Sequence, residues 1–329
     1  MTSKNILLLF GGGGSEHQIS AVSVKHIKDS LAKISGLNFF TVEILANGQW
    51  ELEDKTTCEL LKNKSLVSSK GTICAKIDYV IPCIHGYPGE TGDIQSYFEM
   101  IGLPYMGCGP EASRMCFNKI TTKFWADKLG VPVVPFMFLT GSSENEIKSA
   151  KAFFDQHKEV VVKASNQGSS VGCYLAKTEA ELHSTIKQAF EYSPFVLIEK
   201  RLLPREIEIS AYTFNKELHV SFPGEIVCPS KFYDYQEKYS NDSKTYTITR
   251  AENLSPELIK KIQDASLILF KSLKLKDLSR IDFFVEGNDY YLNEINTFPG
   301  LTPISMFPKM MEANGHKFSD YLKYCLENI

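Results

Sequence analysis

The sequence predicts an α/β domain built on a parallel sheet, followed by α+β units. Three observations carry that expectation. The opening KNILLLFGGGGSEHQIS reads as a buried strand, a glycine turn and a helix start. Strand-like and helix-like segments then alternate, the pattern of a parallel sheet. Near the C-terminus, two strands joined by the turn residues EGND form a hairpin, Arg280–Ile295.

In chain order, the first helix spans about Ser20–Ile34, Phe39–Leu45 is the second strand and Tyr79–Ile84 the third. This unit ends near Tyr105–Gly109, where glycines and Pro110 interrupt the pattern. A helix over about Ala112–Leu129 stops at Gly130 and Pro132. Strand Val133–Leu139, helix Glu144–Gln156, strand Glu159–Ala164, the loop NQGSSVG, strand Cys173–Ala176, helix Thr178–Tyr192 and strand Phe195–Glu199 make a small α+β unit. The last third holds Glu206–Phe214, Glu217–Pro223, a polar Tyr-rich segment Phe232–Thr245, helix Pro256–Leu273 and the hairpin. No repeat or low-complexity tract interrupts it.

The 329 residues suffice for two or three modest domains, with 43% hydrophobic and 23% charged residues. A net charge of −3 argues against nucleic acid or an anionic membrane as the main partner. The apolar run Ile6–Phe10 is too short to span a bilayer and lacks a cleavage site. Eight cysteines without a CxxC pair read as reduced, buried residues of a cytoplasmic protein.

The hairpin is the strongest chemical signal. Arg280 and Asp282 are two apart on one strand, and Glu294 and Asn296 two apart on the next, so each pair shares a face. Strand pairing brings Asp282, Glu294 and Asn296 together beside a cation, and these oxygen donors suit Mg²⁺. A solvated hairpin face explains the alternation but not acids flanking such apolar strands. In VVVKASNQGSSVG, Lys163 ends a buried strand before a small-residue loop whose N–H groups can cradle phosphate. No GxxxxGK[ST] occurs. The N-terminal glycines raise a dinucleotide site with Glu43 at the ribose. The GxGxxG spacing fails, and Glu16 at the helix mouth repels pyrophosphate while attracting an ammonium. His85 follows a predicted strand end, a position where α/β folds bind ligands, although a lone histidine is usually structural.

Seven segments stand in a telling order: GGGGSEHQIS, IHGYPGETG, VVKASNQGSSVG, EKRLLPRE, FYDYQEKY, RIDFF and NEINTFPGLTPISMFP. Together they resemble the D-alanine–D-alanine ligase family of the ATP-grasp superfamily over essentially the whole chain. Thr91, Ser96, Asn118 and Met306 depart from the common pattern. The resemblance implies an ATP-grasp fold behind a Rossmann-like (pre-ATP-grasp) parallel-sheet domain. Its units are 1–107, 108–198 and 199–329, the last with the Mg site and a lid loop at 232–245. It implies that Lys119 and Lys163 contact ATP phosphates. Glu199, Lys200, Leu202 and Glu206 hold adenine and ribose. Asp282, Glu294 and Asn296 bind two Mg²⁺, with Mn²⁺ as a substitute. Glu16 holds the first substrate's ammonium, supported by Ser169 and Tyr239, and His85 lies near that substrate. Lys238, Ser305 and Met306 line the second-substrate pocket. Arg280 and the Gly300 N–H form the oxyanion site.

The implied reaction joins two D-alanines through an acyl phosphate, for peptidoglycan precursor synthesis, in a cytoplasmic homodimer. Lys238 and Tyr239 favour D-alanine over D-lactate as second substrate, and D-serine is the nearer competitor. Two other classes remain to be weighed, an NAD-dependent oxidoreductase using the N-terminal glycines and a non-catalytic nucleotide-binding module.

Overall fold

Ile6, Leu7, Leu8 and Leu9 are wholly buried at the centre of the first sheet, as their apolar run demands. The structure is a computed structural model and describes residues 3–14, 16–32, 34–228 and 245–327. Lys4–Gly11 pairs in parallel with Leu37–Ile44 on one side and Tyr79–Cys83 on the other. Helix His17–Leu31 makes the crossover between the first two. The rest of this sheet departs from the sequence reading. Four short strands, Trp50–Leu52, Thr57–Leu60, Ser65–Ser68 and Ile73–Lys76, extend it in antiparallel fashion, so Tyr79–Cys83 is not the third strand but the seventh. Each has three or four residues, too few to display a period of two. The turns between them place Gly48, Lys55, Lys64 and Gly71 at positive φ.

The single helix expected over Ala112–Leu129 is two, Pro110–Phe117 and Lys119–Lys128. Asn118 leaves the helical region at φ −83° and ψ 104°, and its side chain accepts N–H bonds from Ile120 and Thr121, both at 3.0 Å. It is thus the N-cap of the second helix. The break makes Lys119 the first residue of that helix, and its own N–H donates to the Ser165 carbonyl at 3.1 Å.

The central sheet is antiparallel, ordered Cys173–Ala176, Val160–Ala164, Val196–Lys200, Phe136–Leu139. Helices Glu144–His157 and Glu179–Phe190 cover it, each opened by a capping box, Ser143 with Glu146 and Thr178 with Glu181. The C-terminal sheet runs Tyr246–Ile248, Gly224–Val227, Arg205–Phe214, Leu278–Glu286, Asp289–Asn296, with Glu217–Val220 also on Arg205–Phe214. The strand expected over Glu217–Pro223 therefore ends at Val220, and a separate one begins at Gly224.

Two terminal helices that the pattern does not reveal, Met306–Ala313 and Phe318–Glu327, close the molecule. Phe307, Phe318, Tyr321 and Leu322 share one core with Ile6, Leu8 and Ile27, which fixes the end of the hairpin unit against the first domain. Lys238, Tyr239 and all of the expected lid except Thr245 lie outside the described residues. No described helix is long and apolar enough to cross a membrane.

Candidate active site

The three sheets meet around a cleft of about 810 Å³. Every site residue expected from the sequence, among those described, lines it. The C-terminal hairpin forms one wall. Its register sets Asp282 opposite Glu294 and Arg280 opposite Asn296, so all four side chains share a face. A bulge follows Asp282. Arg280 donates two bonds to Asp282, at 2.8 and 2.7 Å, and its Nε also lies 3.2 Å from Glu208. Asn296 donates to Asp282 Oδ2 at 3.0 Å. Among the described residues no set of three His, Cys, Asp or Glu is gathered as a metal site. The hairpin offers instead two carboxylates and an amide oxygen on one face, each carboxylate balanced by a cation. That hard-oxygen donor set fits Mg²⁺ or Mn²⁺.

The central unit supplies the facing wall. Lys119 Nζ lies 3.0 Å from Glu294 and donates to the Gln167 carbonyl at 2.6 Å, so it ties the glycine–serine loop to the hairpin. In that loop Ser169 and Ser170 adopt positive φ, 49° and 60°. Lys163, at the end of its strand, meets Glu199 at 2.6 Å and Asn293 at 3.4 Å. Glu199 also meets Lys123 at 2.5 Å and is only 2% exposed. Burial alone would raise its pKa. The two ammonium groups outweigh burial and push it down to about 2. Lys200, Leu202 and Glu206 continue the wall around the strand end.

The first domain supplies the third side. Gly11 and Gly12 have φ of 97° and 93°, and a Cβ on Gly11 would stand 2.3 Å from the Ile44 carbonyl oxygen, so only glycine fits this turn. Glu43 is held by His17 at 3.0 Å and Lys55 at 2.8 Å, which accounts for it without a ribose. Glu16 stands at the helix mouth against the loop, where a Cβ on Gly168 would lie 3.4 Å from its Oε2. Both nitrogens of buried His85 bond protein groups, Ser23 Oγ at 3.3 Å and the Phe298 carbonyl at 3.1 Å. Ser305 caps the Gly300–Thr302 turn through the Thr302 N–H at 3.1 Å and hydroxyl at 2.7 Å. Met306, 3% exposed, begins the next helix at the cleft's edge.

Two family models cover this architecture, D-ala D-ala ligase N-terminus over residues 5–108 and D-ala D-ala ligase C-terminus over 125–327. The chain belongs to the D-alanine–D-alanine ligase family. It is 49% identical over 328 residues to the D-alanine–D-alanine ligase of Vibrio parahaemolyticus, covering 99% of each chain. It is also 49% identical over 325 residues to that of Shewanella sediminis, covering 98% of this chain and 97% of the relative. The crystal structure of D-alanyl-alanine synthetase A from Vibrio cholerae superposes with a TM-score of 0.94 at 48% identity, over 100% of this chain and 98% of the other. The fold is the ATP-grasp fold of this family, and the chain is a ligase.

Three residues of this ligase-family site carry no role in the sequence reading. Lys123 is 1% exposed beneath the lysine pair. Its i, i+4 spacing from Lys119 on one helix is the signal that could have found it. Glu208 braces Arg280. Glu90, from the segment IHGYPGETG, is buried and accepts N–H bonds from Gly86 at 2.9 Å and Phe298 at 3.4 Å.

Burial, then the nearby Glu16 charge, raise the Glu90 carboxyl to about 8. The folded chain therefore holds a proton there that the unfolded chain has lost, across a window from the ordinary glutamate range to about 8. By linkage, stability falls as pH rises through that window. Glu90→Gln stays neutral, so its stability relative to the parent is expected to rise by a few kcal/mol between pH 5 and 9. Urea titrations at several pH values measure this, and a pH-independent difference would refute the shifted carboxyl.

Proposed function

We propose that the chain joins two D-alanines to D-alanyl-D-alanine at the expense of ATP, for peptidoglycan precursor synthesis. We further assign three units, 1–107, 108–198 and 199–329, and expect a cytoplasmic homodimer. Support comes chiefly from one observation: two lysines of the central unit, Lys119 and Lys163, face the Asp282–Glu294 hairpin across a single cleft.

The roles follow from chemistry. A carboxylate and an ammonium at neutral pH form a salt, so the acid must first be activated. ATP lies between the two ATP-grasp sheets, its adenine and ribose near Glu199, Lys200, Leu202 and Glu206, its phosphates at Lys119, Lys163 and the Ser169 loop. Glu16 holds the first D-alanine by its ammonium, and Ser169 and Tyr239 support it. That substrate's carboxylate attacks the γ-phosphate, forming D-alanyl phosphate and ADP. Phosphoryl transfer needs alignment and charge neutralisation, which the lysines supply. Asp282, Glu294 and Asn296 would hold Mg²⁺, which would supply charge neutralisation at the phosphates.

The free amine of the second D-alanine, its carboxylate held by Lys238 and Ser305 beside Met306, then attacks the acyl carbon. Arg280 and the Gly300 N–H receive the oxyanion, a contribution worth roughly 3 kcal/mol per donor in other acyl-transfer sites. Phosphate departs with the acyl C–O bond, and the amine's proton passes to solvent or phosphate. His85 stands behind the first-substrate side rather than at the reacting atoms, since both its nitrogens already bond protein.

A phosphate-release assay with Mg²⁺ tests this. Release is expected with ATP plus D-alanine and not with ATP alone, and the product is expected to be D-alanyl-D-alanine. Adding D-serine or D-lactate is expected to leave that dipeptide dominant. A mixed product in excess would overturn the substrate assignment.

A further inference from the structure

The turn Phe298–Leu301 is gripped by the first domain on every outward backbone group at its two ends. The Phe298 N–H donates to Glu90 at 3.4 Å, and the Phe298 carbonyl lies 3.1 Å from His85 Nδ1. The Leu301 N–H donates to Ser23 Oγ at 3.4 Å, and the Leu301 carbonyl lies 2.7 Å from His26 Nδ1. A carbonyl only accepts, so His26 and His85 each carry a proton on Nδ1. Burial lowers the pKa of His85, so its Nε2 is an acceptor, and Ser23 completes a chain: Leu301 N–H to Ser23, Ser23 O–H to His85, His85 N–H to Phe298. Phe298 and Leu301 are 2% and 0% exposed. The His26 ring is further fixed by stacking on Phe318, 5.4 Å between centroids and 18° between planes.

Gly300 lies between these two anchored residues. Ser23 and His26, three apart, are on one face of helix His17–Leu31. That helix begins immediately after Glu16. We infer that Ser23 and His26 are positioning residues, fixing the Gly300 N–H relative to the first substrate so that it meets the oxyanion of the second chemical step. The inference rests on the proposed ligase reading, in which Gly300 is an oxyanion donor and Glu16 holds the first substrate. Neither Ser23 nor His26 touches substrate. They act by tying the helix that carries the first substrate's counter-charge to the turn that carries the acyl-oxygen donor. A tie of this kind matters when the amine attacks and much less when the γ-phosphate is transferred.

The test uses His26→Ala, His26→Asn and Ser23→Ala in the full chain, measuring phosphate and dipeptide released in the same reaction with saturating D-alanine. His26→Ala is expected to lower kcat for dipeptide about 10-fold with KM for ATP unchanged. Phosphate is expected to outrun dipeptide, because the acyl phosphate waits and hydrolyses. Asparagine, whose amide can donate to the Leu301 carbonyl, is expected to restore coupling, and Ser23→Ala to uncouple in the same direction. Parental kcat and a one-to-one phosphate-to-dipeptide ratio in both alanine variants would overturn the inference. So would a loss shared equally by phosphate and dipeptide, or a rise in KM for ATP. If the parent chain itself makes no dipeptide, the ligase reading has failed instead.

Discussion

Glu294→Gln is expected to abolish turnover while leaving the chain folded and nearly as stable as the parent. The two halves of that expectation have separate causes. Glu294 lies directly across the hairpin from Asp282, so glutamine removes one of the two full negative charges in the proposed metal donor set. A metal ion stabilises transferring phosphate by several kcal/mol, so losing its hold costs roughly 10³-fold or more in rate. The stability cost is small because the Lys119–Glu294 pair is partly open to solvent, the two side chains being 14% and 22% exposed. Glutamine also keeps the side chain's volume and an oxygen that can accept from Lys119. Lys119 also retains its bond to the Gln167 carbonyl. Phosphate release at saturating D-alanine, beside a thermal melt, measures both halves. Near-parental activity would sink the metal assignment, and a collapsed melt would show that Glu294 is structural.

The hairpin was legible because its chemistry and its geometry share one period. Two-residue spacing fixes a common face within each strand, and EGND fixes the turn, but counting back from that turn sets Asp282 opposite Asn293; the bulge after Asp282 shifts the register by one residue and brings Glu294 opposite instead. The first sheet was legible only at its parallel centre. Strands of three or four residues between positive-φ lysines leave no periodic trace, and Lys55 and Lys64 look like ordinary surface residues. The break at Asn118 was hidden for another reason. An asparagine within a helical pattern is tolerated, and only its two N-cap bonds reveal that it starts a new helix at Lys119. Ser23 and His26 were invisible because their meaning lies wholly in long-range partners, the backbone of Leu301. The site residues named by resemblance converge on one cleft wherever they are described, but the resemblance says nothing of what braces them from behind.

Lys123 shows how much that bracing carries. Two ammonium groups, Lys123 and Lys163, share the Glu199 carboxylate at 2.5 and 2.6 Å, and Lys123 and Glu199 are almost wholly buried. The cluster keeps one net positive charge, which it presents through Lys163 to the cleft. Among the described residues Glu199 is the only carboxylate that both lysines are seen to meet, and Glu199→Gln leaves their like charges together, with Lys123 in the interior. Uncompensated buried charge costs about 3–5 kcal/mol, so a fall in Tm on the order of 10 °C is expected. The lysines can relieve the strain by losing a proton, which lowers their folded pKa below the unfolded value. The folded variant then binds fewer protons than its unfolded chain, so its stability rises with pH. The deficit against the parent is therefore expected to narrow between pH 7 and 10. Removing one ammonium as well should recover part of the loss. The double variant Lys163→Met with Glu199→Gln is expected to be more stable than Glu199→Gln alone, a non-additivity that a double-mutant cycle measures. A deficit that is constant with pH, or a double variant weaker than both singles, would show that Glu199 serves the fold by packing rather than by balancing the two lysines.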